Sequence, residues 1–468
     1  MKVADSTTSG SSTPPLETVV VGAGQGGLSA AYHLARRGLA RWTELLVLDA
    51  DAAPGGAWAH RTPSLTMRDV NGLHPLPGAP VPAFAEDAPA RDVVPAYFAD
   101  YERRFALPVL RPAPVASVTD GPGALLTVRT ADGRSWTTRT LVSATGTWTR
   151  PFLPHYPGTE LFRGRRLHSA EYRGPETFAG RRVLVVGGGL SAIQVLAEIR
   201  EFAPGAETIW TTRTPPRFRP EHDGFTPEDG RAAVALVEQR VRAGLPPQPV
   251  VAVTGLPLTS YLRRARELGV LNRREMFHHL TEDSAVWADG RRERIDAIVW
   301  ATGFRPAVGH LAPLGLRGPG GGIRLDGDGD TRAAADHRVH LIGYGPSAST
   351  IGANRAGRAA AAGVLRSLGR SGPRTRDGVA ASATADPGRR ADGPVGPVGP
   401  DDLVRPHPGR ISAGSTARPA SPSPTAVAAA AAAPTGAPAA GAAPDGSAAA
   451  RPRTAGRLAA ASSAVPAG

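Results

Sequence analysis

Glu17-Thr-Val-Val-Val-Gly22-Ala-Gly24-Gln-Gly-Gly27 is an apolar run that breaks into glycines and continues as a helix-like segment, Leu28 to Arg37. The pattern returns at Arg182-Val-Leu-Val-Val-Gly187-Gly-Gly189-Leu-Ser191-Ala192, and Ile193 to Arg200 continue it. Strand, glycine turn and helix together cradle a pyrophosphate, because the helix N-terminus offers free N–H groups and a partial positive charge. In the first copy Gly22 permits the tight turn, Gly24 the close approach of a phosphate, and Gly27 the packing of helix on strand. One such motif says little in a chain with 56 glycines. Two copies, each after an apolar strand and ahead of an amphipathic helix, predict two dinucleotides in one protein and electron transfer between them.

The two copies differ in the strand that comes next. After the first, Glu44-Leu-Leu-Val-Leu-Asp49 ends in an acid about 20 residues past the last glycine, the expected partner of ribose hydroxyls. After the second, Glu207-Thr-Ile-Trp-Thr-Thr leads into Arg213. An arginine there binds a 2′-phosphate in two-pronged fashion, where an acid would repel it, so NADPH is favoured over NADH. Arg217 and Arg219 lie nearby to share that work, although a solvated basic loop would read the same way.

Between the copies stands Phe162-Arg-Gly164-Arg-Arg-Leu-His168-Ser-Ala-Glu-Tyr172. It fits the pattern F-x-G-x-x-x-H-x-x-x-(Y/F/W) of class B flavin monooxygenases, and here the chain resembles the flavin-containing monooxygenase superfamily, close to its bacterial flavoprotein branch. The resemblance runs from about Glu17 to about Leu368. Gly55-Gly56-Ala-Trp58 resembles the family's flavin-proximal turn. Ser143-Ala-Thr145-Gly146 and Trp300-Ala-Thr302-Gly303-Phe304 resemble the two segments that join its domains. Gly343-Tyr-Gly345 with Ser349-Thr350-Ile351 resembles the closing flavin contact, although Tyr344 stands where many relatives have an aspartate. Tyr172-Arg173 departs from the Baeyer–Villiger subgroup's tryptophan followed by proline or aspartate, which argues for the nitrogen- or sulfur-oxygenating branches or the uncharacterised ones, and against ketone-to-ester chemistry. His168 is read as a brace of the domain junction, without acid–base work.

The resemblance implies an α/β fold of two Rossmann-like dinucleotide-binding domains, the NADP domain inserted into the FAD domain. Residues 1–13 would be a disordered N-terminus, 14–149 and 296–368 the FAD domain, and 150–295 the NADP domain. The late strands Ile295–Trp300 and Val339–Ile342 would complete the FAD sheet. Helices are expected over Thr226–Gly244, capped by Thr226, and over Leu258–Leu268, closed by Gly269. Asp120-Gly and Asp132-Gly mark turns of a small β-excursion. Residues 369–468 turn to Ala, Pro, Gly and Ser, too little apolar surface to offset ordering entropy, and read as a disordered tail.

Composition removes several classes. With no cysteine, the thiol chemistry of disulfide reductases is excluded and a reducing cytoplasm fits. No apolar run approaches the ~18 residues needed to span a bilayer, and Met1–Pro15 lacks the apolar core of a secretory signal. The formal net charge of +13 comes almost wholly from arginines interspersed with acids. That distribution does not mark nucleic-acid binding and reads as the coding bias of a high-GC, actinobacterial genome. His278-His279, taken as part of a helical stretch, lack a third metal ligand at suitable spacing.

The function implied is an FAD-dependent, NADPH-using monooxygenase that passes one oxygen atom of O2 to a small nitrogen- or sulfur-containing substrate through a C4a-hydroperoxyflavin. A small-molecule substrate, O2 and a homodimer are the partners considered. Catalytic candidates are Arg68, Asp69 and Asn71, within Ser64-Leu-Thr-Met-Arg68-Asp69-Val-Asn71; Asn71-Gly72 is equally a turn signal. Cofactor contacts are expected at Gly22, Gly24, Gly27, Asp49, Gly56 and Trp58 for FAD. Gly187, Gly189, Ser191 and Arg213 are expected for NADPH, Gly303 at the domain junction, and Gly343 and Thr350 at the closing flavin contact. An NADPH-dependent flavin reductase or oxidase, and a non-catalytic nucleotide-sensing flavoprotein linked to transport, share the nucleotide motifs. The signature Phe162–Tyr172 favours the monooxygenase.

Overall fold

The computed structural model describes residues 14–70, 73–219, 227–247, 255–326, 329 and 331–370. The segments read as disordered, 1–13 and all but the first two residues of 369–468, lie outside them, as does Thr226.

The chain opens with β1 (Leu16–Val21), α1 (Gln25–Arg36) and β2 (Leu45–Leu48), then α2 (Ala90–Arg104) and β3 (Val109–Leu110). Next comes an antiparallel excursion, β4 (Val115–Asp120), β5 (Leu126–Thr130) and β6 (Ser135–Ser143). The last residues of β6 run parallel to β1, with Val19 opposite Leu141. β1 and β2 are apolar nearly throughout because both faces of this parallel sheet are covered. Val20 and Val47 pack with Leu28, Leu34 and Phe98 on one face. Their neighbours Val19, Val21 and Leu46 pack with Val118 and Leu341 on the other.

A second sheet begins with β7 (Arg165–His168), β8 (Arg182–Val186), α3 (Leu190–Phe202) and β9 (Glu207–Thr211). Then come α4 (Pro227–Arg242), α5 (Ser260–Glu267) and β10 (Arg273–Arg274). A three-stranded meander, β11 (His279–Leu280), β12 (Ser284–Val286) and β13 (Arg292–Arg294), precedes β14 (Ala297–Trp300). The strand order is β10-β9-β8-β14-β7, parallel throughout. Val183 and Val185 face α3 and α5, whereas Leu184 and Val186 face the meander through Phe277 and Leu280. The chain then returns to the first sheet with β15 (Leu325–Asp326), β16 (Arg332–Ala333) and β17 (Asp336–Leu341), and closes with α6 (Thr350–Ser367).

Two expectations are corrected here. The strand expected at Ile295–Trp300 to complete the first sheet instead pairs with β7 and β8 in the second. Its four residues are buried on both faces, so no polar alternation tells which sheet receives them. His278-His279 belong to the edge of the meander rather than to a helix. The helix expected over Leu258–Leu268 is α5, capped by the Thr259 hydroxyl on the Leu262 N–H (3.2 Å) and closed by Gly269 with a positive φ. Both expected turns, at Asp120 and Asp132, separate the strands of the excursion.

α6 lies against α1 through small residues. Ala353, Ala356 and Ala360 recur on its buried face, and a Cβ on Gly357 would come within 2.5 Å of Ser29 Oγ. Two histidines sit inside this half of the molecule. His310 meets Ser143 Oγ at 3.2 Å, and His340 meets Thr331 Oγ1 at 3.2 Å. Burial holds both well below the ordinary histidine value, at about 4, and Arg332 and Arg366 add to the effect at His340. The unfolded chain takes up these protons near pH 6.5 and the folded one only near pH 4, so their stabilisation is complete above that window and is lost as pH falls through it. By linkage each group costs on the order of 3 kcal/mol across it. Urea midpoints should therefore drop steeply between pH 6.5 and 4, with an uptake of at least two protons on unfolding; a flat profile would show that neither is held neutral.

Candidate active site

Both glycine turns are built as their letters require. Gly22 and Gly187 take φ of +98° and +145°, where a side chain is strained. A Cβ on either would strike the crossover leaving its sheet, 2.6 Å from Ala144 O and 2.2 Å from Ala301 O respectively. A Cβ on Gly27 would fall 1.8 Å from Gly22 O. Gly24 and Gly189, by contrast, have nothing within 4 Å of such a Cβ. Each is the N-cap of its helix, and no side chain caps α1 or α3. Two helix N-termini are thus left with free N–H donors facing open space, the arrangement that receives phosphate.

Asp49 comes directly after β2 and is 6% exposed. Its carboxylate accepts the Ala23 N–H at 2.5 Å and the Asp51 N–H at 3.0 Å, with Arg111 Nε 3.5 Å away. It therefore holds the glycine turn in shape as well as standing beside it. The Gly55-Gly56 turn closes over the same place, since a Cβ on Gly56 would lie 3.1 Å from Gly24 Cα. Trp58 packs at the margin of the first core. Gly343 abuts Gly146, Thr350 opens α6 behind its Ser349 cap, and the buried Tyr344 uses its hydroxyl on the Ile323 N–H at 2.8 Å.

The segments joining the sheets run side by side. The Ala307 N–H donates to Gly146 O and the Arg305 N–H to Arg150 O, while Thr302 donates its hydroxyl to Phe152 O. His168, 1% exposed at the end of β7, locks them. Its Nδ1 accepts the Ala170 N–H at 3.1 Å, so Nε2 carries the proton and donates to Gly303 O at 2.9 Å. Burial lowers its pKa in keeping with that neutral form. The ring also meets Phe304 edge-on at 4.9 Å. The brace expected of this histidine is what the geometry shows.

A cleft of about 40 Å³ opens between the two halves. Arg61, Thr62 and Leu65, just past the Gly55-Gly56 turn, form one wall. Ser191, Gln194 and Val195 of α3 form the opposite one, with Trp148, Tyr172 and Phe304 between. Trp148 stacks on Phe304 with centroids 5.0 Å apart. The halves are tied by polar groups: Tyr261 donates to Ser64 O at 3.0 Å and Gln194 to Ser64 Oγ at 3.4 Å, and within α3 Gln194 also donates to the buried Glu198 at 2.9 Å. Desolvation, with Glu198 adding to it, pushes the Tyr172 and Tyr261 hydroxyls above their ordinary range.

The catalytic candidates fare differently. Arg68 is exposed and pairs with Glu86 at 3.2 Å. Asp69 accepts from Thr66 at 2.7 Å and from Ser260, which makes it a tie between the halves. Neither is among the residues lining the cleft. Asn71 lies outside the described residues. Arg213 is exposed just beyond β9, with no ion-pair partner among the described residues. Beside it Arg273 holds Thr212 through Oγ1 at 2.7 Å, a second cation at that end of the sheet which sequence reading passed over. Arg61 was also missed, although it stands three residues after Trp58.

Two sheets, each with an uncapped helix N-terminus after a glycine turn, make an α/β fold that known proteins share. A model of the pyridine nucleotide-disulphide oxidoreductase family matches residues 19–224; with no cysteine in the chain, the likeness is one of fold and not of thiol chemistry. The chain is 39% identical to a flavin-containing monooxygenase from Stenotrophomonas maltophilia, over 76% of this chain and 99% of that one, with a TM-score of 0.64. It belongs to the flavin-containing monooxygenase family. An indole-3-pyruvate monooxygenase (YUCCA4) of Oryza sativa subsp. japonica is 32% identical, over 39% of this chain and 44% of its own length. The uncharacterized oxidoreductase CzcO of Bacillus velezensis is 30% identical, over 39% of this chain and 51% of its own. The chain thus spans about half the length, or less, of these two curated relatives.

Proposed function

We propose that the protein is an FAD-dependent, NADPH-using monooxygenase that delivers one oxygen atom of O2 to a small nitrogen- or sulfur-containing nucleophile. The observation that carries this reading is the pair of uncapped helix N-termini, at Gly24 and Gly189, each opening after a glycine turn, with Ser191 of the second helix lining an aromatic cleft. Both fit a pyrophosphate, since each has open space where Gly22, Gly27 and Gly187 are hemmed in by backbone. Residues Gly22, Gly24, Gly27 and Asp49 with the Gly56 turn would hold FAD, and Gly187, Gly189, Ser191 and Arg213 would hold NADPH. Domain assignment accords with this, with the first sheet as the FAD domain and the second, now including β14, as the NADP domain.

Bound flavin supplies the two-electron step from nicotinamide and the activation of oxygen. The protein's own residues position and shield. His168 and the paired crossovers fix the distance between the halves, and Trp148 and Phe304 wall the cleft against water. Among the described residues lining the cleft there is no carboxylate and no histidine, which accords with chemistry carried by the cofactors. Oxygenation of nitrogen or sulfur, rather than ketone insertion, is supported by Tyr172-Arg173. Tyr172 is buried against Phe178, and Arg173 is spent on the Ala170 carbonyl at 2.8 Å.

The test is coupling. With amines and thioethers supplied in turn, NADPH consumption should rise and be matched by oxygenated product. Consumption that ends in stoichiometric peroxide with every substrate would make the protein an oxidase or reductase instead.

A further inference from the structure

Arg61 projects into the cleft without an anion to meet it. Its guanidinium lies over Trp148 at 4.7 Å and over Trp58 at 5.6 Å. Its Nε is buried with no hydrogen-bond acceptor, and none of the residues lining the cleft is acidic. Of the nearby carboxylates, Glu198 receives Gln194 on Oε1, lies near the Tyr172 and Tyr261 hydroxyls and keeps its buried Oε2 without a partner, but it does not line the cleft; Asp51 pairs with His60 at 3.0 Å, and Asp69 is bound to Thr66 and Ser260. Stacking on indole offsets part of the cost of taking a cation from water, but an arginine keeps its charge and five donors in all surroundings. Stacking also leaves the edge of the guanidinium, the side that grips an oxyanion in two-pronged fashion, free in the guanidinium plane.

We infer that Arg61 is the seat of an oxyanion brought into the cleft by a bound small molecule, either a carboxylate on the substrate or the pyrophosphate of the nicotinamide nucleotide. The two sources share one chemistry and one place, because the cleft reaches from the flavin-side turn to Ser191 at the start of α3. If the substrate supplies the anion, its class narrows to acids that also carry the nucleophilic atom. The inference rests on the proposed function only for the choice of probes.

The experiment uses FAD-loaded protein and tracks the flavin absorbance change as ligand is added. Probes are NADP⁺, phenylacetate and the uncharged phenylacetamide, on wild type, Arg61→Gln and Arg61→Lys. Expected is a loss of affinity of at least about tenfold in Arg61→Gln for one anion, an intermediate loss in Arg61→Lys, and no change for phenylacetamide. Loss for NADP⁺ alone assigns the seat to the nucleotide; loss for phenylacetate alone assigns it to the substrate. A second readout is independent of either probe: phosphate should raise the thermal midpoint of wild type above that in chloride of equal ionic strength, and should not do so in Arg61→Gln. Unchanged affinity for both anions, with no phosphate effect in wild type, would overturn the inference. Reduction of wild type by NADPH, measured separately, would still stand or fall with the proposed function.

Discussion

Gly27→Ala yields a protein that has lost both its flavin and much of its stability, whereas Gly24→Ala loses the flavin alone. The two residues lie three apart in one turn, and the difference comes from what surrounds them. The added methyl on Gly27 falls 1.8 Å from the Gly22 carbonyl. That carbonyl has little freedom to move, because the Gly22 N–H is bonded to Leu48 O at 2.7 Å. α1 must lift from β1, breaking the contacts of Leu28 and Leu34 with the sheet, and overpacking against backbone costs about 3 kcal/mol or more. Gly24 has φ of −79° and nothing within 4 Å of its missing Cβ, so alanine is accommodated in the empty protein. Its methyl then occupies the space into which a pyrophosphate would come. Flavin content after purification and the thermal midpoint of both variants decide the matter. Full flavin retention by Gly24→Ala would mean that the first turn is not a phosphate cradle.

Arg213→Ala raises the dissociation constant for NADPH by roughly 10- to 100-fold and leaves NADH where it was. The side chain is exposed beyond β9 and free of ion pairs among the described residues, so its removal disturbs no packing. A charge-assisted hydrogen bond to a phosphate contributes about 1.5–3 kcal/mol, which gives that range. Arg273, engaged with Thr212, limits the loss if it shares the phosphate, and the double variant then loses more. The measurement is the concentration dependence of flavin reduction without oxygen, with each nucleotide in turn. Equal weakening of NADPH and NADH would locate Arg213 on the pyrophosphate or the ribose instead of the 2′-phosphate.

How much the letters reveal depends on how local the constraint is. The turns at Gly22 and Gly187 were legible because a positive φ and a backbone within 3 Å exclude every other residue. β8 and α3 were legible because they flank such a turn directly. β14 was not, because a strand buried on both faces carries no mark of its sheet. The cleft was legible only in part. His168 could be placed as a brace from its motif, but its neutral tautomer emerges only when the Ala170 N–H and the Gly303 carbonyl converge on it. Arg68 and Asp69 are candidates through the resemblance, which places an arginine and an aspartate near flavin in this segment. Asp69 is claimed by Ser260, 191 residues away, a contact that no local pattern encodes. Arg61 was overlooked for the converse reason: the absence of a partner is a property of the folded surroundings.

The measurement that bears most directly on the central claim is anaerobic reduction of FAD-loaded protein by NADPH and by NADH, then admission of oxygen while the flavin spectrum is recorded. Expected are faster bleaching by NADPH at equal concentration and a delayed return of the oxidised spectrum, through a distinct species that decays sooner when an oxygen-accepting substrate is present. Failure of both nucleotides to reduce the flavin would contradict the two-nucleotide reading. Immediate reoxidation with one equivalent of peroxide would contradict the monooxygenase.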